Sequence, residues 1–400
     1  MIRFKLLSLL LLVFYSTSTA YAQDIYEDKY QWKIPGGKYI DPVSFFSLHG
    51  YVNAVYAGES PEWKQGNFNG IGMPGQVILP NTNTSSFNND VALWLSSELS
   101  EKASVIMELH LVNNPSGVGA AGPGGITFVL TEANLRYKLI KNYLAVSAGT
   151  FWSVFGIQNQ DWLGAQNLFT TIPLASGAYV THYNERGLRL DGSFAKGEWG
   201  LNYVFSVGNG FNAWDISGYN SFDNNNNKTI NGRVSVFPGF GEHLNIGISY
   251  GQGLLFERDP SAASDTKQFY DNSFKAFGAD ITAKWNDFSL RSYLIQSEEI
   301  LINNQTEKIF PNTGFMAELS FKQGLGENSK IDAVIPKIRF DQLDKSMFVE
   351  GTDDVYTTIS FGLNFQINSN FLLSLDHNWI TEKNFSLDNN RMVARVSANF

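Results

Sequence analysis

Residues 391–400 read Arg391-Met-Val-Ala-Arg-Val-Ser-Ala-Asn-Phe400. Laid out as an extended strand, Met392, Ala394, Val396, Ala398 and Phe400 fall on one face. Arg391, Arg395, Ser397 and Asn399 fall on the other, broken only by Val393. Side chains alternate across a strand, so one side suits hydrocarbon and the other water. Two architectures use such a strand: the edge of a soluble β-sandwich and a stave of a transmembrane barrel. The rest of the chain decides between them.

Working back from this end, the same alternation recurs in sixteen runs. They are Ser44–Tyr56, Val91–Leu99, Ser104–Val112, Thr131–Leu139, Leu144–Phe151, Gly187–Phe194, Trp199–Val207, Ile230–Phe237, Leu244–Gly251, Phe274–Trp285, Phe288–Ile295, Gly314–Lys322, Lys330–Arg339, Val355–Ile367, Phe371–His377 and Arg391–Phe400. Each is a weak signal by itself, as barrel strands are. Their connections are more telling because short and long ones alternate. Ser100–Ala103, Ile140–Tyr143, Ala195–Glu198, Asn286-Asp287 and Asn368–Asn370 are short. Ala57–Asp90, Asn113–Leu130, Trp152–Arg186, Gly208–Thr229, Gln252–Ser273 and residues 296–313 are long. A membrane barrel has short turns on one side and long loops on the other, whereas loop length in a sandwich need not follow strand parity. The fold class is therefore all-β: a transmembrane antiparallel β-barrel of sixteen strands with short periplasmic turns and long outer loops.

The N-terminus agrees with export. Arg3 and Lys5 precede the apolar run Leu6–Tyr15, and Ala20-Tyr21-Ala22 makes a small-residue cleavage site. This reads as a signal peptide over 1–22, too short for a spanning helix. Residues 23–43 are a polar periplasmic leader, and 44–400 form the barrel. Losing Arg3 and Lys5 makes the mature chain two units more negative than the −9 of the whole, which excludes nucleic acid as a partner. There is no cysteine, hence neither a disulfide framework nor a thiolate metal site. The long loops hold the low-complexity pieces Asn81–Ser86, Gly117–Gly125 and Asn224–Asn227, which read as polar surface segments.

Little else speaks for chemistry. The five histidines, 49, 110, 182, 243 and 377, are never three or four residues apart, so no metal-ligand spacing exists. No calcium-loop, nucleophile-elbow or phosphate-loop pattern is present. No metal and no cofactor is expected. Face assignment points His49, His110 and His377 into the lumen, which argues against a hydrolase on the outer wall.

Glu132-Ala-Asn-Leu-Arg-Tyr137, followed by Gly149-Thr-Phe-Trp-Ser-Val-Phe-Gly156, resembles the phosphate-selective porin O and P superfamily, which includes the dicarboxylate-type porins. Val154 stands where that family usually has proline. The closing strand likewise resembles that of bacterial outer-membrane barrels. The resemblance implies a homotrimeric porin in the outer membrane, whose third outer loop, 152–186, folds into the lumen. It also implies that Phe400 is read by the barrel assembly machinery.

Taking each strand's polar face as inward, the basic lumen set is Arg136, Lys138, Arg189, Arg233, Lys284, Arg291, Lys322, Arg339 and Arg395. The acidic set is Glu98, Glu108, Glu132, Asp191, Asp280, Glu318 and Asp376. This near balance implies weak ion selectivity and no strong phosphate preference, with control near the third loop. The residues expected to line the pore or its constriction are Glu108, Glu132, Arg136, Lys138, Asp161, Glu185, Arg186, Arg189, Asp191, Arg233 and Arg291. The expected function is diffusion of small hydrophilic solutes or ions across an outer membrane, without enzymatic activity. An adhesin or structural anchor is the alternative, and a barrel hydrolase a more distant one.

Overall fold

The computed structural model describes residues 47–57, 86–114, 125–157, 167–179, 184–210, 227–238, 243–256, 272–303, 306–326, 329–346, 354–383 and 390–399. They form β1 (Ser47–Ala57), β2 (Ser86–Glu98), β3 (Ala103–Asn114), β4 (Gly125–Ile140), β5 (Leu144–Trp152), β6 (Asn184–Lys196), β7 (Trp199–Gly208), β8 (Thr229–Phe237) and β9 (Leu244–Phe256). There follow β10 (Asn272–Trp285), β11 (Phe288–Asn303), β12 (Thr306–Phe321), β13 (Gln323–Gly324), β14 (Ala333–Lys345), β15 (Asp354–Gln366), β16 (Phe371–Glu382) and β17 (Arg391–Asn399). β12 and β13 both pair with β14 and are separated only by Lys322, so they are two pieces of one stave. The result is a ring of sixteen staves. Every stave is antiparallel to its neighbours in sequence, and β17 closes on β1, with Tyr51 opposite Asn399 and Ala57 opposite Val393. Closure leaves no strand edge unpaired, which a sheet in hydrocarbon requires.

The faces follow the alternation. On β9, Gly247 and Ser249 are buried while Ile246 and Ile248 are exposed. On β15, Thr358, Ser360 and Asn364 are buried, whereas Ile359, Phe361 and Leu363 are exposed. On β17, Arg395 and Ser397 are buried, Met392 and Val396 are exposed, and Val393 points inward at 2 % exposure. Large exposed apolar residues are normally scattered. Here they form a continuous belt, with Leu135, Leu188, Phe205, Phe277, Leu294 and Leu319 among its members. Such a belt makes sense only in an apolar solvent. Rings collect near its short-turn edge, where Tyr143 packs on Phe194 at 5.3 Å and Phe194 on Tyr203 at 5.8 Å, as at a membrane interface.

Two expectations about the connections change. The strands run further than the sequence pattern indicated at the long-loop end, β4 beginning at Gly125 and β14 ending at Lys345. Residues 296–313 are mostly sheet: Asn303 pairs directly with Thr306, so β11 and β12 form a tall hairpin with no long loop. The alternation there was masked because the outward face turns polar: Gln296 and Glu298 are exposed, while the inward Ser297, Glu299 and Asn312 are polar as well. At the short-turn end, Asn286 takes a positive φ of 51° in the two-residue link between β10 and β11, a conformation asparagine tolerates. No helix of the described residues is long and apolar enough to cross a membrane.

Candidate pore and constriction

The chain leaves the sheet after Trp152 and rejoins it at Asn184. The described parts of this connection, Ser153–Ile157 and Asn167–Tyr179, lie inside the ring. A short 3-10 turn spans Leu174–Ala178. Phe155 and Tyr179 stack in parallel at 4.0 Å. With Ile157, Ala175 and Ala178 they pack against inward-facing Phe274, Ala276, Tyr293, Ile295, Met316, Leu343 and Tyr356. This is an apolar core built inside the barrel, and each large side chain buried there contributes roughly 1.5–3 kcal/mol. Glycines make room for it. A Cβ on Gly314 would lie 2.0 Å from the Ala175 carbonyl oxygen, and one on Gly278 would lie 3.0 Å from the Phe155 ring.

A backbone without regular structure needs hydrogen-bond partners wherever it is buried. For this strap the wall provides them, mostly from charged side chains. Lys337 Nζ donates to the Leu168 carbonyl at 2.6 Å, and Arg339 donates to the Thr171 carbonyl and hydroxyl, each at 2.8 Å. Arg395 donates to the carbonyls of Asn167 at 2.9 Å and Phe169 at 3.2 Å. In the opposite sense, the Thr170 N–H donates to Asp376 at 2.6 Å and the Leu174 N–H to Asp341 at 2.7 Å. Each such charge-assisted bond is worth roughly 1.5–3 kcal/mol net. The same charges pair among themselves, Lys337 with Asp376 at 2.7 Å and Arg339 with Asp341 at 3.4 Å. Phe169 is wedged between Lys337 and Arg339, which sit 4.5 and 4.6 Å from its ring centre.

β5 lies diametrically opposite β14 in the ring. Around it, on β4–β6, the inward charges are wetter. Arg136 and Arg189 both reach Asp191, the second at 3.5 Å, and Arg189 also covers the Phe151 ring at 5.4 Å. The two arginine side chains are 16 % and 17 % exposed and Asp191 is 5 % exposed. The charges under the strap, Lys337, Asp376, Arg339 and Asp341, are at most 1 % exposed. Further round, Arg233 holds Asp280 with two bonds of 2.6 and 2.9 Å, and Arg291 meets Glu318 at 3.2 Å. In each of these pairs the guanidinium is more exposed than its carboxylate.

The remaining expected pore residues divide. Glu108 faces inward on β3 and is opposite Glu132 across the β3–β4 ladder. It accepts from Trp152 Nε1 at 2.7 Å and lies 2.6 Å from His110 Nε2. Glu132 accepts from Asn134 at 2.6 Å. Both carboxylates are buried, so they brace the foot of the connection instead of facing water. Lys138 shares the inward face with Arg136 and is half-buried near the short-turn end. Glu185 is buried and accepts the Gly210 N–H at 2.8 Å, tying the return of the connection to the start of the next one. Arg186 is placed otherwise. It pairs across to Thr150 and shares the outward face with Leu188 and Leu190, at the long-loop end of β6. It does not line the lumen. Asp161 and Phe400 lie outside the described residues.

His377 also differs from expectation. It lies on the outward face between Leu375 and Trp379, edge-on to the Trp379 ring at 5.1 Å. Its cross-strand neighbours are Phe361 and Met392, neither a nucleophile. Sequence reading missed Asp341 because it ended that strand at Arg339, and it left Lys337, inside the strand, out of the inward set. Both share the Arg339 face, two residues to either side. The inward glycines Gly278 and Gly314 were a second overlooked signal. Among the described residues no group of three acidic, histidine or cysteine side chains could hold a metal.

No protein-family model matches the chain, and no curated protein sequence does. Solved structures do match in fold. The outer membrane channel DcaP of Acinetobacter baumannii superposes with a TM-score of 0.58 at 7 % identity, over 91 % of this chain and 100 % of that one. An anion-selective porin from Comamonas acidovorans gives 0.52 at 11 %, over 89 % and 99 %. OmpT, an outer membrane protein of Vibrio cholerae in a trimer form, gives 0.54 at 8 %, over 89 % and 99 %. At these identities the likeness is one of fold: this chain is built as a closed sixteen-stranded transmembrane barrel of the kind seen in bacterial outer-membrane porins.

Proposed function

We propose that the chain is a diffusion channel of a bacterial outer membrane, passing small hydrophilic solutes and ions between its inner strap and the β4–β6 wall. The observation that carries this reading is the pairing of a docked strap on one side with hydrated arginines on the other. A plugged anchor would have no use for charges kept wet inside a closed ring. Polar walls replace a solute's water shell, and lumen charges weight which ions enter. Because the guanidinium groups of the lumen pairs stand forward of their carboxylates, selectivity is weak and leans toward anions, with no strong phosphate preference. No step needs bond chemistry, so the protein is not an enzyme.

The finer assignments belong to the same proposal. Residues 1–22 direct export, Phe400 is the signal to the assembly machinery, and three copies assemble in lipid. Membership of the phosphate-selective porin O and P superfamily rests on the Glu132–Tyr137 and Gly149–Gly156 motifs. Purified, refolded barrel in a planar bilayer with KCl on both sides tests the function. Discrete, stable conductance steps are the expected result. A folded, heat-modifiable barrel that gives none is an anchor or adhesin.

A further inference from the structure

The wall beneath the strap holds much of the lumen's charge, and that charge is shut off from solvent. Lys337, Arg339 and Asp341 on β14, Asp376 on β16 and Arg395 on β17 are all buried. Burying ions is costly unless they are paired and bonded. Here the extra bonds go to one segment, Asn167–Ala175, and they go largely to its main chain: carbonyls at 167, 168, 169 and 171, and N–H groups at 170, 174 and 175. The grip is therefore nearly blind to the strap's side chains, Phe169 and the Thr171 hydroxyl excepted. The apolar bed fixes the other half, Ala175 to Tyr179, on β10, β11, β12, β14 and β15. The segment Asn167–Thr171 has no such bed apart from Phe169. It stays against the wall because side chains of the wall hold it, most of them charged. Asn364 adds a bond to the Leu168 carbonyl at 3.0 Å, and Asn378 accepts from Thr171 at 3.3 Å.

We infer that these five side chains are the positioning residues of the constriction: from the far wall they set the width of a path they do not line. They do so by holding Asn167–Thr171 back from β4–β6. This rests on the channel reading above. Neutralising the grip frees the segment while the apolar half stays docked. The path then changes width without loss of the barrel, whose ladder hydrogen bonds do not involve these side chains.

Single-channel conductance of Arg339→Gln with Arg395→Gln tests this, with folding checked by heat-modifiable migration. We expect a change of roughly twofold, or noisy switching between levels, where the wild type is steady. The chain has no cysteine, so a lock can be added cleanly. Thr171 Oγ1 and Asn378 Oδ1 are 3.3 Å apart, and in the same double variant a Thr171→Cys with Asn378→Cys pair should restore the wild-type level when oxidised and release it when reduced. A general effect of charge on ion traffic would not respond to that lock. Should the double variant fail to assemble, Phe169→Ala removes the wedge from the strap side and leaves every wall charge in place. Conductance like wild type in a folded double variant, or in Phe169→Ala if that alone folds, overturns the inference, as does a raised level that oxidation leaves unchanged. A wild-type barrel that never conducts defeats the channel reading itself, which is a separate outcome.

Discussion

The β4–β6 wall and the β14–β17 wall face each other across the lumen, and both are rich in arginine and aspartate. One keeps Arg136 and Arg189 in contact with water around Asp191. The other hides Lys337, Arg339, Asp341 and Asp376 beneath a loop. The same residue types on the same kind of inward face therefore do different work. Under cover a charge is a strong hydrogen-bond partner for protein backbone, and its field is spent on that contact. In water it is available to a passing ion. A count of lumen charges taken from strand parity cannot separate the two groups, since parity says only which way a side chain points.

The sharpest way to test this contrast is to push the strap from its bed toward the open wall. Gly314→Leu would place side-chain atoms where the Ala175 carbonyl now rests. We expect it to cost about 3 kcal/mol or more in the unfolding free energy of the barrel, since overpacking a tight contact strains its surroundings. Conductance should fall, because the displaced strap moves into the path. Denaturant titration and bilayer recording read the two effects. A stable variant with normal conductance would mean that the wall at Gly314 and the path are not mechanically linked.

The open wall should respond in charge more than in stability. Replacing Arg136 and Arg189 by glutamine removes both cations around Asp191 and leaves the carboxylate facing the path. The reversal potential across a KCl gradient should move toward cation preference, corresponding to a change of roughly twofold or more in the permeability ratio. The same exchange at the buried wall should act on pore width instead. Equal shifts of reversal potential from both walls would erase the distinction between them.

The smallest effect is expected on the outer surface. His377 lies among Leu375, Trp379, Phe361 and Met392 on the lipid-facing belt, and it contributes nothing to the lumen. His377→Leu should leave conductance and selectivity unchanged and alter stability by about 0.5 kcal/mol or less, as surface changes away from special features do. A shift in ion selectivity would return this histidine to the pore.

Much of this architecture was legible in the sequence. The alternation of Met392, Ala394 and Val396 with Arg395 and Ser397 predicts a stave that belongs to hydrocarbon on one side and water on the other. Repeating the pattern, with short and long links taking turns, predicts an even, closed ring. These features are legible because the two-residue period and the shortness of hairpin turns are local properties of the chain. Legibility failed where the inward face stops being polar. Ile295, Met316 and Leu343 point into the barrel yet are apolar, because another part of the same chain, some hundred residues or more away, covers them. Strand ends were lost where the outward face turns polar too, as at Gln296, Glu298, Gln342 and Asp344, and Asp341 was lost with them. His377 was placed on the wrong face because a polar residue was taken to mark the lumen, whereas the face is set by the register of the whole strand. Arg186 was read as loop, but β6 already begins at Asn184 and carries it outward. Which charges grip the strap and which meet water is decided by contacts between Asn167–Tyr179 and staves up to half the ring away. That is a matter of tertiary packing, and no period along the sequence encodes it.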